Sequence, residues 1–269
     1  MTMQLLLIDA LNLIRRIYAV CESQYGAHSE QAIEETLTRV ERALVKLKAQ
    51  HQPQYALAAF DGDSSWRYEY FSGYKASRKP MPEALNKQLP RFMNAINAQH
   101  IAVVRAANEE ADDVLATLAA KANKQGIKVV IVSTDKGYLP LIEQGVMVFD
   151  YFTKAERSAD EVQKKYGIDA AQLWQYFALV GDKTNDIPGV SGIGAKSAQA
   201  LLSQYPSVAD ALSADPEGKV QQLLTRHLPD YVRALALVSL RTDIDLGISL
   251  KQLRLSPDAP QITLHTSQI

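Results

Sequence analysis

Acidic side chains end several short apolar segments of this 269-residue chain, and their placement could support metal chemistry. Asp9 lies at the end of the apolar part of the segment QLLLIDA, and Asp61 ends YALAAFD. Glu110, Asp112 and Asp113 belong to the motif EADD, and Asp135 follows the apolar segment KVVIVST. If the segments are neighbouring strands, the carboxylates converge, and converging carboxylates repel unless a cation neutralises them. Such oxygen-only sets suit Mg²⁺ or Mn²⁺. Helix capping is the alternative interpretation for any single one of these acids.

A glycine-rich segment, IPGVSGIGAKSAQALL, spans residues 187–202. Its glycines allow tight turns and close approach of the backbone to a ligand. A helix is predicted to begin near Ala195, where free backbone N–H groups form an anion site. The pattern predicts a helix–hairpin–helix that binds a DNA backbone without reading bases. The residues expected against DNA are Gly192, Ile193, Gly194, Ala195, Lys196 and Ser197. A plain glycine-rich linker is the alternative, and a Walker A loop is excluded by spacing.

A basic and aromatic segment, SSWRYEYFSGYKASRKPMPEAL, covers residues 64–85 and is named the connector here. It is longer than a simple turn between a strand and a helix. Its cations can contact phosphates and its rings can stack on unpaired bases. We expect phosphate contact for Lys75 and Arg78, and core packing for Trp66 and Phe71. Because the connector directly follows the segment that ends at Asp61, it can overhang the acidic cluster.

The elements that must position these groups are predicted from hydrophobic spacing. Short apolar strands alternate with helices in the first part of the chain, which favours an α/β fold with a mainly parallel sheet covered on both faces. In such a sheet the strand ends that carry ligands share one edge. The predicted strands are 4–10, 55–61, 100–106, 128–134 and 146–152, and the predicted helices there are 30–48, 85–99 and 110–125.

The second part of the chain has helical spacing and little strand signal. Helices are predicted over 160–165, 170–180, 195–205 and 229–240. We therefore divide the chain into an α/β domain at 1–155, a helical region at 156–255 with the helix–hairpin–helix at 179–205, and a tail at 256–269 that we expect to be disordered.

Composition narrows the class of protein. The formal net charge is −1, 47% of residues are hydrophobic, and there is one cysteine, which excludes an internal disulfide framework and a cysteine-based zinc site. No apolar run is long enough to span a membrane, and the N-terminus does not have the pattern of a signal peptide. We expect a cytoplasmic monomer without membrane association. Any nucleic-acid binding must rest on local patches.

Together these segments resemble the 5′-nuclease family, which includes the 5′ domain of bacterial DNA polymerase I and the flap endonucleases, with the free-standing Xni-type enzymes the most similar. The matching blocks are LLLIDALNLIRRIY, AAFDG, YKASRKPMPEAL, NEEADDVLATLA, IVSTDKGYLPLI and ALVGDKTNDIPGVSGIGAKSAQALL. The resemblance covers nearly the whole chain. It implies a PIN-like 5′-nuclease fold followed by a helical region with a helix–three-turn–helix motif.

The resemblance also implies roles for individual residues. A first divalent ion would be held by Asp9, Asp61, Glu110 and Asp112, with Asp113 as a catalytic acid near both ions, and a second by Asp135 and Asp182. Tyr74, Lys75 and Arg78 would engage DNA, Lys75 and Arg78 at the reacting phosphate. A monovalent cation, K⁺, would be held by main-chain oxygens of Leu179, Val180, Pro188, Val190 and Ile193.

Two departures from the family pattern concern the second ion. Gly137 stands where polymerase-type members usually have a second Asp, and GDKTND replaces GDxxDN, so Asn185 stands at an Asp position with Asp186 one place later. An amide binds a divalent cation more weakly than a carboxylate does. The number of ions per chain is therefore one or two.

The function that follows is that of a structure-specific 5′ nuclease, dependent on Mg²⁺ or Mn²⁺, which acts on flapped or branched DNA independently of sequence. A DNA-junction binder with weak or no catalysis is the first alternative, because the second metal site is depleted. A small-molecule phosphatase, suggested by Asp61 and Asp63, is the second alternative, but it leaves the hairpin and connector unexplained.

Overall fold

A seven-stranded sheet forms the centre of the computed structural model, which describes residues 3–258 and 260–264. The strands are β1 Gln4–Asp9, β2 Tyr55–Phe60, β3 Ala102–Ala106, β4 Lys128–Val132, β5 Val146–Asp150, β6 Ala155–Glu156 and β7 Gln261–Leu264. Their order across the sheet is β6-β5-β4-β1-β2-β3-β7. Every pairing is parallel except β5 with β6. The mainly parallel α/β fold is therefore confirmed, and β1 lies at its centre.

Strand β1 is buried on both faces, which explains its continuous apolar sequence. Leu5 and Leu7 pack on one side and Leu6 and Ile8 on the other, all at most 1% exposed. The helices of this part of the chain are α1 Ala10–Tyr25, α2 Glu30–His51, α3 Trp66–Tyr70, α4 Glu83–Lys87, α5 Leu89–Ala98 and α6 Ala111–Asn123. A 3₁₀ helix, Lys136–Gln144, joins β4 to β5. Helices α1, α2 and α5 contribute to one hydrophobic core, and α6 contributes to the other.

The helical region has its own hydrophobic core, which includes Leu173, Leu179, Ile193 and Leu202. Its helices are α7 Ala159–Tyr166, α8 Leu173–Val180, α9 Ala195–Gln204, α10 Val208–Ala214, α11 Lys219–Arg226 and α12 Leu228–Val238, with short 3₁₀ helices at Ala170–Gln172 and Leu250–Leu253. Tyr74 of the connector and Leu139 of the α/β domain belong to the same core. The helical region is thus packed directly against the edge of the sheet where the acids lie.

The expected disorder of the tail at 256–269 is wrong for residues 261–264. Gln261–Leu264 forms β7, which pairs in parallel with β3 at the edge of the sheet. The alternating pattern of four residues is too short for a sequence-based prediction, and the pairing depends on an edge strand that the tail reaches only in the folded chain. Residues 259 and 265–269 of that expected tail lie outside the described residues.

Among the residues that the structure describes, no helix combines the length and apolar character that a membrane crossing requires.

Candidate active site

A cavity of about 340 Å³ opens where the carboxyl ends of β1, β2 and β4 meet the connector and the helical region. Among its lining residues are the predicted acids Asp9, Asp61, Glu110, Asp112, Asp135 and Asp182. Lys75 and Arg78 of the connector line the same cavity. The parallel register explains most of this convergence, because adjacent strands end at one edge, where Asp9 and Asp61 lie at or directly after the ends of β1 and β2. Glu110 and Asp112 reach this edge at the start of α6, and Asp182 reaches it from the turn after α8.

Asp9 and Asp112 are the acids most affected by burial in this cavity. Burial, with repulsion from Asp61 and Asp135, raises the pKa of Asp9 to about 7. Burial and the charges of Asp9 and Asp135 raise the pKa of Asp112 well above its ordinary value. Few contacts compensate this: Asn12 N and Ser133 Oγ donate to Asp9, and the Tyr138 hydroxyl donates to Asp112 at 2.8 Å. Negative charge is therefore concentrated here without enough positive charge to balance it.

Asp61 and Glu110 lie beside the cations of the connector. Burial raises the pKa of Asp61, while its oxygen accepts the Ala111 backbone N–H at 2.8 Å. Burial acts against ionisation of Glu110 as well, but the Lys75 ammonium, 2.5 Å away, and Arg67 hold the pKa of Glu110 below its usual range. Glu110 is thus already ionised and paired, whereas Asp9, Asp61 and Asp112 are the acids that a cation would stabilise.

The chemistry of these donors fits a divalent ion such as Mg²⁺ or Mn²⁺, since all are oxygens in one buried, repulsive cluster. No group of three or more His, Cys, Asp or Glu side chains in residues 3–258 and 260–264 is already arranged to hold a metal ion. A divalent ion would relieve the burial and the repulsion that raise the pKa values of Asp9 and Asp112.

The expectation that Asp113 is an acid near the ions is not supported, because Asp113 is fully occupied by other partners. Its side chain is 0% exposed and forms a bidentate ion pair with Arg67, at 2.5 and 2.9 Å. Trp66 Nε1 and the backbone N–H of Arg241 also donate to it. Helix geometry is the reason, because Asp112 and Asp113 are successive residues in the first turn of α6 and face different sides.

Arg67 lines the cavity and contacts its acids, and the sequence patterns did not identify it as a site residue. Its guanidinium is buried, and its nitrogens donate to Glu110, Asp113, and the backbone oxygens of Leu237 and Ser239. The side chain therefore ties the connector to the start of α6 and to the end of α12. The only sequence signal was an arginine among aromatic residues in the connector, which does not distinguish a buried arginine from a phosphate contact.

At the other end of the cavity, a lysine neutralises Asp182. Lys136 Nζ lies 2.7 Å from Asp182 Oδ1 and 4.2 Å from the centre of the Phe177 ring. Thr184 N donates to the same oxygen, and Asn185 Nδ2 donates to Oδ2 at 2.7 Å. Both oxygens of Asp182 are thus satisfied by protein donors. Asp135, the other acid predicted for a second ion, caps the 3₁₀ helix by accepting from Gly137 N at 2.7 Å.

Asp186 is directed away from the cavity, as expected from its shift by one place in the sequence. It is absent from the cavity lining and accepts hydrogen bonds from Ser77 of the connector. Asn185, which does line the cavity, offers an amide to Asp182 rather than a further negative charge.

The remaining connector residues divide between core and surface. Tyr74 was expected to contact DNA, but it is only 4% exposed and its hydroxyl donates to Glu110 at 3.0 Å, so it supports that acid from the protein interior. Arg78 is exposed and lines the cavity, as a phosphate contact requires. Trp66 and Phe71 are partly buried, and Phe71 packs against the helical core.

The glycine-rich hairpin presents its backbone to solvent at the start of α9. Gly192, Gly194, Ala195 and Lys196 are exposed, whereas Ile193 is buried in the helical core. No side chain caps α9, so its first N–H groups are available to an anion. Ser197 is partly exposed in the first turn of the same helix. The hairpin is held by close backbone approach at Gly189, where a Cβ atom would lie 2.4 Å from both Leu179 O and Gly181 N.

The main-chain positions expected to hold a monovalent cation surround this hairpin. Leu179 O accepts the Val190 N–H at 2.8 Å, and Val190 O accepts the Ile193 N–H at 3.1 Å. The hairpin therefore folds back on the end of α8, where Val180 is the last residue and Pro188 lies close to Gly181. Cation binding at these positions remains a prediction.

Comparison with known proteins gives one consistent family. The model described as "5′-3′ exonuclease, N-terminal resolvase-like domain" matches residues 4–167, and "5′-3′ exonuclease, C-terminal SAM fold" matches residues 168–261. The chain is 49% identical over 253 residues to the flap endonuclease Xni of Pseudoalteromonas translucida, covering 94% of this chain and 98% of that protein. It is 41% identical over 270 residues to the flap endonuclease Xni of Colwellia psychrerythraea, covering 95% and 93%.

Solved structures share the fold at lower sequence identity. The flap endonuclease of bacteriophage T5, solved as a pseudo-enzyme-product complex with DNA and metal ions, superposes with a TM-score of 0.71 at 22% identity, covering 89% of this chain and 90% of that one. The T5 5′-exonuclease with bound zinc superposes with a TM-score of 0.70 at 22% identity, covering 87% and 89%.

Proposed function

The chain belongs to the 5′-3′ exonuclease family and is a structure-specific 5′ nuclease, and we propose that it hydrolyses phosphodiester bonds at 5′ flaps or branches of DNA with the help of Mg²⁺ or Mn²⁺. The observation that carries this proposal is the cavity itself, where Asp9, Asp61 and Asp112 crowd uncompensated charge beside Lys75 and Arg78. Buried acids of this kind stabilise a divalent cation, and neighbouring basic side chains attract a phosphate.

Asp9, Asp61 and Asp112 would hold the divalent ion, with Glu110 as the neighbouring acid. When bound, the cation supplies Lewis-acid polarisation of the phosphate, activation of water, and stabilisation of the leaving oxygen. Glu110 orients the Lys75 ammonium at the cavity wall through their 2.5 Å contact. Tyr74 and Arg67, both mostly buried, fix Glu110 in turn through hydrogen bonds to its carboxylate.

Lys75 and Arg78 act on the phosphate. Burial favours a neutral Lys75 amine, but the charge of Glu110 raises the pKa of Lys75, so the ammonium is retained. An arriving phosphate offers Lys75 a second anionic partner beside Glu110. Arg78 lines both this cavity and an adjoining one of about 250 Å³ under the connector, where it can neutralise charge that develops on the phosphate.

We propose one tightly bound divalent ion per chain, with any second ion bound weakly. Lys136 already supplies a positive charge to Asp182, and Asn185 and Gly137 contribute no carboxylate. A second ion at Asp135 and Asp182 would have to displace an ammonium and an amide donor, which opposes its binding.

The exposed hairpin would anchor the duplex part of the substrate. Backbone N–H groups of Gly192, Gly194, Ala195 and Lys196, with the side chains of Lys196 and Ser197, would contact phosphates without reading bases, so binding would be independent of sequence. K⁺ held by main-chain oxygens of Leu179, Val180, Pro188, Val190 and Ile193 would turn carbonyl groups inward and leave the amides for DNA. We propose that the chain acts as a monomer.

Cleavage of a labelled 5′-flap duplex, measured against Mg²⁺ and Mn²⁺ concentration, tests the proposal. We expect cleavage that rises steeply with either ion, ceases in EDTA, and is lost in Asp112→Asn. Substrates with the same branch but different sequences should be cleaved at similar rates. Cleavage that persists in EDTA would contradict the metal-dependent mechanism. Tight junction binding without cleavage at any ion concentration would favour a DNA-binding role instead.

A further inference from the structure

Two successive residues of the helical region, Asn185 and Asp186, hold the connector at Lys75 and Ser77. Asp186 accepts a hydrogen bond from the Ser77 backbone N–H at 2.8 Å, and the Ser77 hydroxyl lies 2.7 and 2.8 Å from its two oxygens. The Asn185 backbone oxygen accepts the Lys75 N–H at 2.9 Å. The Ser77–Asp186 contact joins residues 109 apart in the sequence, and together these contacts tie the connector to the turn that follows α8.

One residue on each side of these contacts has an unfavourable backbone conformation. Lys75 has φ +51° and Asp186 has φ +54°, both in the left-handed region that residues other than glycine rarely adopt. Such conformations persist where surrounding contacts determine them. This backbone conformation directs the Lys75 side chain inward, where it is 9% exposed and its ammonium contacts Glu110 at the cavity wall. The position of the Lys75 ammonium therefore depends on how the Asn185–Asp186 pair holds the connector.

The one-place shift of the acid thus has a structural consequence beyond the loss of a metal ligand. Asn185 lines the cavity, whereas the Asp186 carboxylate accepts hydrogen bonds from Ser77 of the connector. Contact with Ser77 also lowers the pKa of Asp186, which keeps the carboxylate ionised. Arg233 of α12 lies over the Phe71 ring, which gives the connector another contact with the helical region.

We propose that Asp186 is a positioning residue: by anchoring Ser77 it holds the Lys75 turn in place before DNA binds, and so presents Lys75 to the reacting phosphate. The catalytic part of this proposal rests on the proposed nuclease function. The anchoring of the connector does not, and it can be measured on the protein alone.

Limited trypsin digestion without metal or DNA measures the anchoring. Near the anchored turn the connector offers cleavage after Lys75 and Arg78, while cleavage after Lys79 is blocked by Pro80. Arg67, the other trypsin site of the connector, is buried and gives a separate fragment. We expect Asp186→Ala to be cut there about two- to fivefold faster than wild type, because a pair of exposed charge-assisted contacts opposes local opening. The matched control is Asp210→Ala, which removes a similar exposed Ser–Asp contact, with Ser207, from α10. Unchanged digestion in Asp186→Ala would overturn the proposal.

Kinetics and metal binding separate positioning from other roles. In flap cleavage we expect Asp186→Ala to lower kcat several-fold with KM nearly unchanged, and Ser77→Ala, which retains the backbone N–H contact, to have a smaller effect in the same direction. Mn²⁺ affinity measured by calorimetry should equal that of wild type and of Asp210→Ala. A loss of Mn²⁺ affinity in Asp186→Ala would mean that Asp186 is a metal ligand and would overturn the proposal. If wild type does not cleave at all, the nuclease function fails, while the digestion result still decides the anchoring.

Discussion

Arg67 and Asp113 form a bidentate ion pair in which the two side chains are 2% and 0% exposed. The arginine reaches its partner from the connector, and it also donates to two backbone oxygens at the end of α12. A single guanidinium therefore joins three parts of the chain that surround the cavity. This pair explains why Asp113, although adjacent to Asp112 in the sequence, is a structural acid.

We expect Arg67→Lys to destabilise the protein by about 2–4 kcal/mol, because a lysine cannot form the bidentate pair and leaves buried acceptors without donors. The free energy of unfolding in urea measures this. The control is Arg91→Lys, which makes the same change in an exposed ion pair with Glu34 and should have a much smaller effect. Equal stability of the two variants would contradict a structural role for Arg67.

We expect Asp112→Asn to remove tight Mn²⁺ binding while the metal-free protein stays as stable as wild type or becomes more so. The amide oxygen can still accept the Tyr138 hydroxyl, and removing a buried charge relieves repulsion with Asp9 and Asp135. Calorimetry with Mn²⁺ and thermal unfolding in EDTA measure the two effects. Asp160→Asn, which changes an acid in the first turn of α7, is the control. Wild-type Mn²⁺ affinity in Asp112→Asn would exclude Asp112 as a ligand.

The raised pKa of Asp9 predicts opposite pH trends for metal affinity and for metal-free stability. The folded protein holds a proton on Asp9 up to about pH 7, whereas the unfolded chain releases it near the ordinary pKa of 3.8. Stability in EDTA should therefore fall as pH rises from about 4 to 7 through this group. Because an ion must displace the proton, Mn²⁺ affinity should rise over the same range by up to about tenfold per pH unit, and level off above it. A flat affinity between about pH 5.5 and 7.5 would contradict the prediction.

Restoring acids at the second site should allow a second ion to bind. We expect Gly137→Asp with Asn185→Asp to raise flap cleavage and to bind a second Mn²⁺, with effects that are not additive because both acids would share one ion. The backbone at Gly137 is not in the left-handed region, but a Cβ atom would lie 3.2 Å from Asp135 Oδ1, so thermal unfolding of each variant is the control.

Lys136 is expected to oppose this second ion. Adding Lys136→Met to the double variant should strengthen binding of the second Mn²⁺ further, since the ammonium beside Asp182 is removed. A well-folded double variant that binds one ion and cleaves no faster would show that the missing carboxylates do not limit the enzyme.

Gly194→Val should weaken DNA binding without affecting the fold. Gly194 has φ −100° and no atom lies within 4 Å of a Cβ atom there, so a side chain is tolerated by the protein but blocks approach of a phosphate. Gel-shift titrations on several sequences should show the same loss of affinity. Gly189→Ala is the contrasting variant, because its Cβ would meet backbone atoms at 2.4 Å and should lower the melting temperature. A loss that depends on sequence would contradict backbone anchoring.

The sequence was sufficient for the parallel sheet and most of the helices, because strand and helix periodicity is a property of neighbouring residues. The predicted strands agree with β1 to β5 to within a few residues, while helices α1, α3, α10 and α11 and strands β6 and β7 were not predicted. The family and the nuclease function also followed from sequence motifs. So did the gathering of Asp9, Asp61, Asp112 and Asp135 at one cavity, since parallel strands end at a common edge.

The partners of individual side chains were decided only by the tertiary structure. Asp113 and Asp112 differ in role because one faces Arg67 and the other the cavity, and Asp186 is occupied by Ser77. Arg67 meets Leu237 at a separation of 170 residues, and Ser77 meets Asp186 at a separation of 109. Local periodicity places a side chain on a face of its own helix or strand. Which distant group then satisfies its charge and hydrogen bonds depends on how the helical region packs against the sheet.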